Sequence, residues 1–387
     1  MAVRVEAPAM PETAAPARRR GQLNPHVRAI FEAFFFVLVP LIGPAMIFEY
    51  LVGAYHVHPF HAYGQYFPDG GFLFDLHVLW KAGHDIVMGH SPYPFVYPAP
   101  AALLMVPFGA LPWKFAVVAF GAVVVGAVYF TLRTLGVRDW RCYGVALAWM
   151  PTTSTLTLGA FSTLLALAAA VAWRYRDRRW IVASAVVFAV VTKLFLWPLV
   201  IWLIATRRIR TAVSSVVLGI VVVLGSWAVI GFDGMLDYPH HLGSIAGTQQ
   251  GRSYSPFAVM RFLGMSSFMA HVGLVALAVI AVVGIFIAAR RNDGDRRAFV
   301  LALAAALVLS PIVWLHYLVL LYVFVALYRK SLGIAWIIPL AYWLLPGQDS
   351  HGSGPALLLF YAITAAAVVC ALYHRRAVVL RPVLNSQ

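Results

Sequence analysis

Apolar residues fill this chain in runs near the length of helix that crosses about 30 Å of hydrocarbon, and short polar or arginine-rich breaks separate them. The runs cover residues 30–53, 113–133, 142–158, 160–173, 180–206, 211–231, 270–289, 297–329, 332–346 and 355–373. Residues 97–112 are also apolar but carry Pro98, Pro100, Pro107 and Pro112, which predicts an interfacial or short embedded helix. The pattern is that of an all-α, polytopic integral membrane protein. Residues 30–53 are too long for the core of a signal peptide and read as a retained first helix.

The arginines order the runs. Clusters stand at Arg18–Arg20, Arg133/Arg138/Arg141, Arg174–Arg179, Arg207/Arg208/Arg210, Arg290/Arg291/Arg296/Arg297, Arg329–Lys330 and Arg375–Arg376. The positive-inside rule places such clusters in the cytoplasm. That leaves Lys81, Lys114, Lys193, Arg252 and Arg261 on the outer side, out of 29 Lys and Arg. Residues 180–206 and 297–329 lie between basic clusters, so each must cross twice. Each arm is then about 13 residues, or roughly 20 Å of helix. The breaks at Thr192–Lys193 and Ser310–Pro311 would therefore sit below the membrane surface, where irregular backbone survives only in protein or against a cavity. The alternative is one tilted, kinked helix in each stretch. With the paired crossings the total is about twelve, both termini cytoplasmic. The organisation is a disordered cytoplasmic tail at 1–28, a transmembrane domain at 29–376 with outer loops 54–96 and 232–269, and a cytoplasmic tail at 377–387.

Composition agrees. Apolar residues make up 62% of the chain and charged residues 11%, against about 25% charged in soluble domains. The net charge of +15 marks topology rather than a nucleic-acid partner, because no basic stripe lies on a soluble element. The 2 cysteines, Cys142 and Cys370, make neither a zinc motif nor a disulfide framework.

Outer loop 54–96 carries the densest candidate chemistry: Asp69, Asp75, Lys81, Asp85 and six histidines, His56, His58, His61, His77, His84 and His90. The histidine spacing matches no helical ligand set, so they read as interfacial side chains and no metal is expected. Lys193 stands inside an apolar stretch, where a charge is costly and usually functional; the alternative is snorkelling to the headgroups.

Four motifs in order resemble glycosyltransferase family 87. They are an N-terminal signature made of Asp75-Leu76-His77-Val78-Leu79-Trp80, Gly89-His90-Ser91-Pro92-Tyr93 and Tyr97-Pro98-Ala99-Pro100-Ala101-Ala102-Leu103-Leu104 with Pro107; Gly159-Ala160-Phe161-Ser162; Lys193 followed by Pro198; and Ser310-Pro311-Ile312-Val313-Trp314-Leu315-His316. Ala99 replaces the second proline of the family's Y-P-P, and Ala160 to Ser162 lack the amides of its G-Q-x-N. The resemblance implies a C-type glycosyltransferase fold. It also implies an inverting hexosyl- or glycosyltransferase acting at the outer face. The donor would be a polyprenyl-phosphate sugar, mannose first and arabinofuranose second, and the acceptor an envelope glycan or glycolipid. No cofactor is implied. Asp75 falls on the family's acidic position, as a base for the acceptor hydroxyl or, in the plainer reading, a helix N-cap. Lys193, His316, Arg252 and Arg261 are candidates for the leaving phosphate; His316 could instead be a satisfied core histidine, and either arginine simply solvated. Tyr93, Tyr97 and Trp314 could stack on sugar or belong to interfacial belts. The rival functions are a transporter or flippase of lipid-linked sugars and a non-catalytic scaffold of envelope assembly.

Overall fold

The computed structural model describes residues 72–372 and the isolated positions Ile30, Phe34 and Ala45. Apart from those three positions, the expected first crossing, both tails, and His56, His58, His61 and Asp69 lie outside the described residues. Within them all regular structure is helical. The order is α1 (Phe74–Val87), α2 (Ala99–Leu104), α3 (Val106–Gly109), α4 (Trp113–Thr134), α5 (Trp140–Ala148), α6 (Met150–Leu158), α7 (Ser162–Arg174) and α8 (Arg179–Thr192). A 3₁₀ turn (Leu194–Leu196) leads to α9 (Pro198–Ala205), α10 (Ile209–Val229), α11 (Tyr238–Gln249), α12 (Pro256–Phe262), α13 (Ser267–Ala289) and α14 (Gly294–Val308). A second 3₁₀ segment (Leu315–Leu320) precedes α15 (Leu321–Tyr328) and α16 (Ile334–Ile337), and a third (Ile338–Leu344) precedes α17 (Gly354–Leu372).

Among the described residues four helices, α4, α10, α13 and α17, are long and apolar enough to cross a membrane. In α13 only 11% of the apolar window is buried. Val272, Val275, Val279, Ile280 and Val283 face outward, a surface that hydrocarbon, not water, would cover.

The two interrupted stretches are hairpins. Asp295, at the start of α14, pairs with Arg208 after α9 at 2.8 Å and with Arg176 before α8 at 2.9 Å, and Arg208 reaches Asp177 at 3.1 Å. The Arg296 guanidinium lies 4.6 Å over Tyr328, at the end of α15. The start of α8, the end of α9, the start of α14 and the end of α15 therefore share one end of the molecule. This excludes a single kinked helix in either stretch. Lys193, at the first turn, is extended (φ −154, ψ 96), and Pro198 opens α9, where a missing N–H costs nothing. Pro311 likewise follows α14 and keeps it from continuing. The two tips meet, as the site shows.

Two expectations differ in detail. The run 142–158 is not one helix: Trp149 is extended (ψ 134) and Pro151 sits in the first turn of α6, the place a helix tolerates proline. The run 332–346 is a four-residue helix followed by 3₁₀ backbone through Pro339, shorter than a span of its own.

Helix α1 is anchored by a cluster of its own that includes Leu76, Leu79, Trp80, Tyr97, Trp113 and Phe161. Its histidines are structural. His84 bonds the Gly109 carbonyl at 3.0 Å and stacks on Trp80 at 4.9 Å, and His77 meets Trp113 edge-on at 5.7 Å.

Candidate active site

The site begins where α1 meets the end of α6. Leu73 is left-handed (φ 62), and its N–H donates to the Thr157 carbonyl at 2.5 Å. Gly159 closes α6 in the left-handed conformation, with Gly159 N–H bonded to Leu156 O and Ala160 N–H to Thr155 O. This six-to-one and five-to-two pattern is a Schellman cap. A methyl group on Gly159 would run into Leu76 Cβ and its backbone. Glycine is thus needed twice, for its φ of +73 and for the close approach of α1. Gly159→Ala should therefore displace the first turn of α1. We expect a loss of about 1–3 kcal/mol of stability from the backbone strain and a larger fall in activity than in melting temperature. Unchanged activity would show that α1 need not sit there.

That first turn holds Asp75. The N-cap position belongs to Leu73 and no side chain caps the helix, so the capping reading of Asp75 is overturned. Its partly buried carboxylate instead accepts a hydrogen bond from the Tyr97 hydroxyl at 3.3 Å. Burial pushes the Asp75 carboxyl above its ordinary range, and the Lys193 charge and the Tyr97 hydroxyl act against that rise. A carboxylate in this setting is a stronger proton acceptor than one in water.

Tyr97 is the hinge between the two charges. Lys193 Nζ lies 5.6 Å from its ring centre and 4.1 Å from that of Tyr317. Tyr317 is in turn stacked on Phe195 at 4.8 Å. Lys193 is 9% exposed, too deep for snorkelling to explain it. Its Nζ meets His316 Nε2 at 3.4 Å, which joins the tips of the two hairpins. On the other side of the ring, His316 Nδ1 meets Gln348 Oε1 at 3.4 Å, and Ser154 donates to the same oxygen. Asp75 and Lys193 influence one another but do not close into an ion pair. A carboxylate and an ammonium near enough to influence one another can take a neutral hydroxyl and an anion at once.

The other expected residues divide. Arg252 stands at the rim: its Nε pairs with Asp349 at 3.3 Å and its Nη2 meets His351 at 3.2 Å, next to Gln348 in the chain. Arg261 instead donates to the Met265 carbonyl of its own turn at 2.6 Å, and no bond among the described residues links it to the centre. Tyr93 stacks on Trp227 at 4.6 Å and meets Tyr238 edge-on at 5.9 Å. Its hydroxyl donates to the Tyr97 carbonyl at 3.2 Å. One ring face is thus covered, and Tyr93 buttresses Tyr97. Trp314 is half-buried and packs against the main core. Reading the sequence did not single out Ser154, Tyr317 or Gln348. Tyr317 follows His316 directly and could have been found there; the other two carry no local signal.

The chain matches the family model described as glycosyltransferase family 87 over residues 95–313. It is similar to a polyprenol-phosphate-mannose-dependent alpha-(1-2)-phosphatidylinositol pentamannoside mannosyltransferase of Mycobacterium tuberculosis, with 27% identity covering 89% of this chain and 79% of that protein. A protein of the same description from Mycolicibacterium smegmatis is 29% identical over 75% of this chain and 74% of its own length. No solved structure matches significantly.

Proposed function

The chain belongs to glycosyltransferase family 87, and from that premise we propose that it moves mannose from a polyprenyl-phosphate donor to an envelope glycolipid. The acceptor would be of the phosphatidylinositol mannoside kind named for its mycobacterial relatives. The observation that carries the reading is the meeting of Asp75, Tyr97, Lys193 and His316 at the tips of two hairpins. Neither the geometry nor the relatives favour a transporter of lipid-linked sugars.

In this mechanism Asp75 takes the proton of an acceptor hydroxyl as its oxygen attacks the sugar C1. The bond between C1 and the donor phosphate breaks on the opposite face, so configuration inverts. The polyprenyl phosphate leaves with the electron pair, and Lys193 holds the charge it acquires. Asp75 then returns its proton to water. Arg252, at the rim, is placed to meet an anionic headgroup as it enters.

The topology we propose has about twelve crossings in the C-type arrangement, both termini cytoplasmic, with the site at the outer face of a bacterial plasma membrane. The gathering of Arg176, Arg208, Arg296 and Arg329 at the end away from Lys193 supports that orientation. Incubating the purified chain with radiolabelled polyprenyl-phosphate mannose or polyprenyl-phosphate arabinofuranose, each with a mixed glycolipid acceptor, tests the substrate. Label should enter glycolipid from the mannosyl donor. Entry from the arabinosyl donor alone would overturn the sugar, and entry from neither would overturn the activity.

A further inference from the structure

Gln348 lies in the polar loop before α17, yet its side chain reaches the centre of the site. The tautomer of His316 there follows from the charge on Lys193. Lys193 carries an ammonium, which only donates, so the nitrogen facing it, His316 Nε2 at 3.4 Å, must accept. The imidazole is then neutral with its proton on Nδ1. That proton points at Gln348 Oε1, 3.4 Å away, and the Ser154 hydroxyl donates to the same oxygen. Flipping the amide would set its NH₂ against the Nδ1–H. One arrangement therefore gives each of these three contacts a donor and an acceptor: Ser154 and His316 donate to Oε1, and Lys193 donates to Nε2. The loop is held from both ends. Gln348 O accepts from Leu315 N–H at 3.1 Å, and Ser350 N–H donates to the Arg252 carbonyl at 2.7 Å.

We propose that Gln348, supported by Ser154, is a positioning residue for Lys193. By holding His316 in the Nδ1–H tautomer, it lets Nε2 accept a hydrogen bond from one ammonium N–H and turns the others toward the donor phosphate. His316 becomes the acceptor that aims the lysine rather than a donor to phosphate. The inference rests on the transferase reading above.

The test uses full-length protein in nanodiscs, with polyprenyl-phosphate mannose for kinetics and polyprenyl phosphate alone for binding. Gln348→Leu should lower donor kcat/KM by about 10–100-fold, the usual effect of removing an orienting partner. Polyprenyl-phosphate affinity should fall in step, with a melting temperature close to that of the unaltered chain. His316→Gln places an amide oxygen near the position of Nε2, so it can accept from Lys193 without Gln348. In that background Gln348→Leu should change kcat/KM by less than about 2-fold, because coupled residues are non-additive. Undiminished kcat/KM in Gln348→Leu, or the same loss in both backgrounds, overturns the inference. Should Gln348→Leu fail to fold, Ser154→Ala replaces it, with a several-fold loss expected and the same non-additivity; no loss there overturns it equally. Absence of transfer by the unaltered protein counts against the transferase reading instead. Polyprenyl-phosphate affinity then decides the role of Gln348 on its own.

Discussion

Asp75→Asn is expected to lower kcat by about 10³-fold, within the range a positioned general base supplies, while the protein stays folded and still binds donor. The amide keeps an oxygen for the Tyr97 hydroxyl, which now donates to Asp75 at 3.3 Å, so the local geometry has no reason to collapse. Stability should hold or rise. Burial lifts the Asp75 carboxyl above its ordinary range, which means that the folded state disfavours the charged form, and a neutral isostere removes that cost. Activity obtained at the expense of stability is common at catalytic positions. The measurement is single-turnover transfer beside a thermal melt in the same detergent. An Asp75→Asn protein that turns over at the normal rate would remove Asp75 from the chemistry. One that has lost both turnover and its melting transition would show a structural residue.

Lys193→Met should have the second largest effect. It keeps the length and packing of the side chain between Tyr97 and Tyr317 but removes the charge, and donor kcat/KM should fall by about 10²–10³-fold, as when a donor to a developing anion is lost. A second consequence concerns pH. The base must be ionised, so kcat/KM rises with pH through the Asp75 pKa, which reports the free enzyme. The Lys193 charge holds that pKa down against burial. Removing the charge should thus move the acid limb of the profile to higher pH. A limb that stays in place would mean that the two groups do not share a space. Lys193→Arg should recover only part of the loss, since a planar guanidinium does not replace a compact ammonium between two rings.

The sequence was legible where a global rule acted on local residues. Lys193 and Ser310–Pro311 could be located because the positive-inside rule demanded two crossings where length allowed two short arms. The ion pairs of Asp295 with Arg176 and Arg208 bring the two ends of residues 180–206 together, the arrangement that two arms require. Asp75 could be located through its motif. Its neighbour Tyr97 was visible as an aromatic, but not as the group joining Asp75 to Lys193, because that role depends on how α1 docks against α6 and α8. Gln348 was less visible still. It lies in a polar loop that looks like any hairpin connection, and its meaning comes from His316 and Ser154, distant in the chain. The break at Trp149 was hidden because the apolar run 142–158 continues through Pro151, whereas proline in a first turn can equally start a new helix. Tyr93 was visible as an aromatic, but not the stacking of Trp227 on one face of its ring, which depends on how distant segments pack.

The central claim is that one crevice serves both the carboxylate of Asp75 and the ammonium of Lys193. A cryo-EM structure of the full chain in lipid, with a non-transferable mannosyl phosphonate analogue of the donor, tests it most directly. The account predicts the phosphonate against Lys193 Nζ and the sugar C1 between that group and the Asp75 carboxylate, with the attacking face turned toward Asp75. A phosphonate seated elsewhere, with Asp75 out of reach of C1, would contradict it.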